Sequence, residues 1–358
     1  MKIAFTGFFK DESGYGESAR RLLGALHEVG AEVAPGMVLS NGAAEISSEE
    51  MPLELQGFLE HPGFLAEAPD VHLMYVAANE FPILRVPGQR SAGLTCWETD
   101  LLHVAYVAGC ADLDCVIVPS RLNAEVFRNA GIEAVAVPFP TAQPGGDGIE
   151  AAPVGDEAFV FYTVLTWQER KNPRGLLTAY LTAFSGFDNV ELVVKVNGPR
   201  FLKSRIEQEI TELITAINRP NPPKVRLIVD TWPAERIWAL HRRGDCFVLL
   251  TRGESFTLPA LDALTVGNQI IITEWGGHRD YLAERDGVLF VEARLTPVVQ
   301  SYPYFTGDQA WADPDILQAA DMMRAAFKGG RTSKRTHDLS SLAPAVVGQQ
   351  LVEALRGK

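Results

Sequence analysis

Short apolar runs alternate with amphipathic stretches from one end of this chain to the other, and that alternation leaves few folds open. Runs of about four to eight β-branched and aromatic residues read as strands, while apolar residues three and four apart read as a helical face. In the first half, Lys2–Phe8, Glu32–Ala34, Val71–Val76, Ala92–Cys96, Cys115–Val118 and Ala134–Val137 are predicted strands. In the second they are Ala158–Leu165, Glu191–Val196, Val225–Val229, Cys246–Leu250, Gln269–Thr273 and Val288–Phe290. Between strands, Glu17–Val29 sets Leu22, Leu23, Leu26 and Val29 on one helical face, and Ser120 caps a helix running through Phe127. Near-continuous apolar strands separated by helices describe parallel sheets covered on both faces, so the expected class is α/β in both halves.

A chain of 358 residues suits two domains of roughly 150 residues each. The segment 141–156, TAQPGGDGIEAAPVGD, carries Pro, Gly and Asp without apolar periodicity and marks the boundary. The expected division is 1–150, 151–342, and a helix within 343–358 that either finishes the second domain or crosses back to the first. A net charge of −13 and a pI near 5.1 disfavour nucleic acid and anionic membrane as partners, though they leave a local basic groove open. Met1–Phe9 reaches Lys10 and Asp11 without a signal-peptide core, and no later run is long enough to span a bilayer. The expectation is a cytoplasmic protein with no stable membrane insertion. Cys96, Cys110, Cys115 and Cys246 lie in apolar surroundings without C-x-x-C spacing, which fits buried free thiols.

The residues that carry chemistry gather after predicted strands. GESFTLPALDALTVG follows Cys246–Leu250 and brings two carboxylates, Glu254 and Asp262, to a helix start marked by Pro259 and a helix stop at Gly267. The backbone N–H groups of Ser255, Phe256, Thr257 and Leu258 can face an anion there. Carboxylates offer only acceptors, so they suit sugar hydroxyls, which must donate. An N-cap at Ser255 or Thr257 with Asp262 near the helix dipole is the plainer reading of either residue alone. Gly276 and Gly277, after Gln269–Thr273, let backbone approach a ligand closely. Arg170 and Lys171 follow Ala158–Leu165, where cations can grip phosphate. Gly14–Ala19, containing Gly14 and Gly16, fits G-x-G-x-x-A but is displaced from the strand end by Lys10–Ser13, and reads equally as a diphosphate turn or a surface loop. Asp112 and Asp114 match D-x-D in letters but precede a strand, so no metal site is expected. Lys328, Arg331, Lys334 and Arg335 read as a solvated basic loop that could also meet an anionic acceptor.

With these blocks the chain resembles the retaining glycosyltransferases of family GT4, glycosyl transferases group 1, over nearly its whole length. The similarity rests on GESFTLPALDALTVGNQIIITEWGGHRDYL, on RKNP at Arg170–Pro173, and on GLTCWETD and VPSRLNAEVFRNAGI. It implies a GT-B fold, in which two Rossmann-like domains set their parallel sheets facing each other across a cleft. It implies a metal-independent hexosyltransferase with no cofactor beyond a UDP- or GDP-sugar co-substrate, acting on an acceptor hydroxyl of a saccharide, glycoconjugate or other compound. Glu254 would contact the donor sugar, Asp262 the ribose, and Lys171 with the following amides the diphosphate. The chain departs from the pattern in having Asp262 for the usual Glu and in lacking an arginine at Leu165–Trp167, for which Arg170 can compensate. It also lacks the usual first-domain histidine. Cys96, Trp97 and Glu98 stand there, with Trp97 expected to pack on sugar and Glu98 to orient a hydroxyl, or alternatively to be a core aromatic and a capping acid. Loops at Asn41–Pro69 and Ala77–Arg90 are expected to shape the acceptor pocket. A transferase acting on a hydroxylated nucleobase in DNA, a non-catalytic nucleotide or sugar binder, and a Rossmann NAD-dependent oxidoreductase are the competing readings.

Overall fold

A computed structural model describes residues 1–39, 68–145, 157–299 and 303–357. The acceptor loop expected at Asn41–Pro69 falls mostly outside them. Contacts divide the chain into two units: Met1–Ala142 with Pro297–Ala310 and Asp338–Lys358, and Gln143–Thr296 with Trp311–His337. Both are α/β.

The first unit is built on a six-stranded sheet in the order β2-β1-β3-β4-β5-β6. Its strands are β1 (Lys2–Gly7), β2 (Glu32–Val38), β3 (Val71–Tyr75), β4 (Ser91–Leu94), β5 (Cys115–Val118) and β6 (Ala134–Ala136). Every pairing is parallel, from Ile3 opposite Val33 and Val71 through to Ile117 opposite Val135. Helices α1 (Gly14–Glu28), α2 (Phe81–Leu84), α3 (Val104–Cys110) and α4 (Arg121–Asn129) connect them. Ser120 caps α4, its Oγ accepting the Asn123 N–H at 3.3 Å.

The second unit repeats the plan with strands β7 (Phe159–Leu165), β8 (Val190–Val196), β9 (Lys224–Val229), β10 (Cys246–Leu249), β11 (Gln269–Thr273) and β12 (Val288–Val291). Their spatial order is β12-β11-β10-β7-β8-β9, again parallel throughout. β7 and β8 are buried along their whole length, which is why they read as unbroken apolar runs. Helices α5 (Pro173–Ala183), α6 (Lys203–Ile217), α7 (Ala234–Arg243), α8 (Leu258–Thr265), α9 (Arg279–Leu282) and α10 (Ile316–Gly329) flank this sheet. A ribbon of β13 (Ala293–Pro297) and β14 (Ala310–Pro314) has no counterpart in the sequence reading, because its residues lack strict alternation.

The last helix, α11 (Pro344–Arg356), packs on α1. A side chain on Gly348 would sit 2.2 Å from the Ala25 carbonyl oxygen, so the two backbones meet through a glycine. The linear block 151–342 therefore differs from the observed units, since Pro297–Ala310 and Asp338–Leu342 also join the first.

Reversal of strand order fixes where ligands sit in such sheets: in the crevice at the carboxyl ends of the two strands flanking the switch point. Those strands are β1 and β3 in the first unit and β7 and β10 in the second. Among the described residues no helix is long and apolar enough to cross a membrane.

Candidate functional site

The loops leaving β7 and β10 are laced together. Asn172 adopts a left-handed backbone (φ 49°) and caps α5 by accepting the Gly175 N–H at 3.1 Å, while its Nδ2 donates to the Leu250 carbonyl at 2.9 Å. Arg252 N–H donates to the Arg170 carbonyl at 2.7 Å, and the Arg170 guanidinium donates to the Gly253 carbonyl at 2.6 Å. Pro173 then starts α5. RKNP is thus a turn whose asparagine serves both segments.

On this frame Lys171 and Glu254 meet. Lys171 Nζ donates to Glu254 Oε1 at 2.6 Å, Thr251 Oγ1 donates to the same oxygen at 3.0 Å, and Arg170 lies 3.9 Å from Oε2. Glu254 is 4% exposed. Burial works against its charge, yet Lys171 and Arg170 outweigh that and hold the carboxyl below its usual value. An ionised carboxylate and a cation with further N–H donors thus stand together at a switch point.

The next residues lead from Glu254 into α8. Thr257, the N-cap of α8, has φ 80° and ψ 71°, a strained conformation for a β-branched residue. Two hydrogen-bond contacts hold it there, for the Tyr281 hydroxyl lies 3.0 Å from the Phe256 carbonyl and 2.7 Å from that of Thr257. Pro259, which has no N–H, follows Leu258 at the start of α8, and the Ala260 N–H closes back on the Thr257 carbonyl at 3.2 Å. Gly277 N–H donates to the Glu254 carbonyl at 2.8 Å, and Gly276 takes φ 145°. A side chain on Gly276 would lie 2.5 Å from the His278 ring. His278 is fully buried, donates from Nε2 to the Thr273 carbonyl at 2.7 Å, and faces the Thr257 hydroxyl through Nδ1. Burial lowers its pKa to about 4, so it is neutral and shapes the turn.

The structure thus brings Arg170, Lys171, Glu254, Ser255, Phe256, Thr257, Leu258, Gly276 and Gly277 to one end of the second sheet. Asp262 lies in the second turn of α8, 6% exposed and close enough to Tyr162 to add to the rise that burial imposes on that hydroxyl. Thr251 and Asn172 were not singled out from sequence. A polar residue ending an apolar strand and an asparagine before a proline were the available signals.

In the first unit, the loop after β1 leads into α1. Ser13 caps the helix, accepting the Gly16 N–H at 3.2 Å, and Arg20 donates to the carbonyls of Phe9 and Asp11, each at 2.8 Å. Gly16 is obligatory, since a Cβ would fall 1.9 Å from the Asp11 carbonyl oxygen, whereas one on Gly14 would meet nothing within 4 Å. Trp97 requires a correction. It is 1% exposed, packs against a tilted Tyr106 ring and an edge-on Phe305 ring, and donates from its indole to the Leu101 carbonyl at 2.9 Å. It is a core aromatic and cannot pack on a sugar. Asn123 pins it by accepting the Trp97 N–H at 3.0 Å and donating to its carbonyl at 2.8 Å. Glu98, next along, is half-buried at the end of this turn.

The basic segment is an exposed loop, as expected, but a fastened one. Lys334 donates to the Gly244 carbonyl at 2.6 Å and to Asn268, Arg335 pairs with Asp286 at 2.9 Å, and Arg331 with Asp245 at 3.3 Å. Its backbone crosses Gly267, where Arg335 N–H donates to the Gly267 carbonyl at 3.0 Å. Arg331 and Lys334 remain exposed, as in a solvated loop, while these bonds tie the loop to the sheet. Asp114 accepts the Ser91 N–H at 2.8 Å and Asp112 pairs with Arg85 at 3.4 Å. The four cysteines are free thiols, three of them buried.

No family model matches the chain, and no curated protein matches it in sequence. Solved structures do match in shape. HepE of Anabaena, in complex with UDP-glucose, is 14% identical with a TM-score of 0.62, covering 100% of both chains. Sucrose-phosphate synthase of Thermosynechococcus elongatus is 14% identical at a TM-score of 0.61, over 99% of this chain and 94% of that one. The apo structure of OtsA is 10% identical at 0.63, over 100% and 99%. Likeness at these identities establishes the fold: two parallel six-stranded α/β units of the GT-B class.

Proposed function

We propose that this protein is a retaining glycosyltransferase of the GT4 type, moving a hexose from a UDP- or GDP-sugar to an acceptor hydroxyl of a saccharide or glycoconjugate. One observation carries the proposal: Lys171 and Glu254 meet at 2.6 Å beside the start of α8, at the switch point of the second sheet. Solved structures of the same fold hold UDP and UDP-glucose, which supports a donor of that class.

As the glycosidic bond breaks, negative charge grows on the departing diphosphate. Lys171 and the N–H groups of Ser255 to Leu258 are the groups proposed to receive that charge, and their interaction with it strengthens as the bond breaks, which favours the transition state over the ground state. These groups supply the positive potential, and the proposed reaction is metal-independent. Glu254, kept ionised, accepts from hydroxyls of the donor hexose and fixes its orientation. Asp262 takes the ribose. Lys171 turns from its carboxylate partner toward phosphate when donor binds, and the sugar hydroxyls replace it on Glu254. A donor phosphate oxygen takes the proton from the acceptor, which leaves Glu254 as an orienting group and not a nucleophile.

A thermal-shift screen of UDP, GDP and NAD(H) tests the reading. UDP or GDP at about a hundred times its dissociation constant should stabilise the protein by about 2.7 kcal/mol, while NAD(H) should not. Protection by NAD(H) alone would replace the transferase with an oxidoreductase.

A further inference from the structure

We infer that Arg252 is a positioning residue for the donor site, acting from the far side of the loop that carries Glu254; the inference rests on the transferase reading. Arg252 sits between two chain segments, joined to the first by one hydrogen bond and one ion-pair contact and to the second by two hydrogen bonds. Its N–H donates to the Arg170 carbonyl at 2.7 Å, and its guanidinium lies 3.4 Å from Glu169. Its carbonyl accepts the Ala312 N–H at 2.8 Å, and its guanidinium donates to Asp313 at 2.5 Å. Lys171 stands two residues beyond Glu169 and Glu254 two beyond Arg252, so this clamp sets the spacing of the pair that meets at 2.6 Å.

Packing alone does not hold the clamp. A cavity of about 370 Å³ opens beside it, lined by Glu169, Asn172, Arg174, Arg252, Asp313 and Ile316. Glu254 draws on Lys171, Arg170 and Thr251, whereas the Arg252 side chain faces Glu169, Asp313 and the Trp311 ring, whose centroid is 5.9 Å away. The charge of Arg252 therefore acts through geometry. A guanidinium bridges two carboxylates in a fixed fork that an ammonium cannot reproduce.

The test compares Arg252→Met, Arg252→Lys and the triple variant Glu169→Gln/Arg252→Met/Asp313→Asn, which removes the clamp without stranding two carboxylates. For each, donor turnover per folded molecule is measured, and the Glu254 carboxyl is titrated by its ¹³C shift. Arg252→Met and the triple variant should each lose about tenfold in kcat with a smaller change in donor KM, Arg252→Lys falling between them and the parent. The Glu254 titration should move upward in step. Unchanged kcat and an unmoved titration in folded Arg252→Met or triple variant would overturn the positioning role. A parent protein that turns over no nucleotide sugar, with the titration still shifting on substitution, would sink the transferase reading and leave the clamp standing.

Discussion

Glu254 exchanges water for one ammonium, one hydroxyl and a more distant guanidinium, and it does so at 4% exposure. Its carboxyl is held below the ordinary range, so the stability it contributes is present above that range and fades as pH falls through the lowered value. His278 behaves differently because burial disfavours its charged form. Between its unfolded value near 6.5 and its folded value of about 4, the unfolded chain binds the extra proton. Stability should be intact above that window and decline as pH falls through it, by up to roughly 3 kcal/mol. Urea unfolding of the parent and of His278→Asn at matched pH reads this directly. The variant should lose the decline between pH 6.5 and 4, and a parent curve flat across that interval would rule out a buried neutral imidazole.

Loops between elements hold the candidate site, and they differ in how far the sequence announces them. The predicted strands of both sheets all form, and central ones such as β7 and β8 are buried along their whole length, which imposes the apolar runs that periodicity detects. The β13–β14 ribbon escapes notice, since its residues are mostly exposed along one strand. Trp97 shows the limit at a site: an aromatic beside an acid reads alike whether it lines a pocket or plugs a core, and only the Asn123 and Tyr106 contacts decide. The strap of Lys334 and Arg335 is illegible for the same reason, as partners at Gly244, Asn268 and Asp286 are far off in sequence. Gly14 and Gly16 look equivalent as letters yet should behave oppositely. Gly16→Ala forces a Cβ against the Asp11 carbonyl and should cost about 2 kcal/mol or more, whereas Gly14→Ala, open and helical, should be neutral or slightly stabilising. Thermal melts of the two variants check this, and equal effects would contradict the close approach.

At the scale of the whole molecule, two doubly wound units each gather their loops at a switch point, and a C-terminal helix belongs to the unit that holds the N-terminus. Against a formal charge of −13, the paired cations Arg170 and Lys171 are a local exception, both lying beside Glu254. Such a fold hosts many chemistries, so the proposed one depends on its site. The most direct test is turnover of UDP- and GDP-hexoses by the full chain beside a correctly folded Glu254→Ala variant, with release of nucleoside diphosphate as the readout. The account predicts measurable release by the parent and a loss of at least about a hundredfold in the variant. Equal turnover by the two proteins would contradict it.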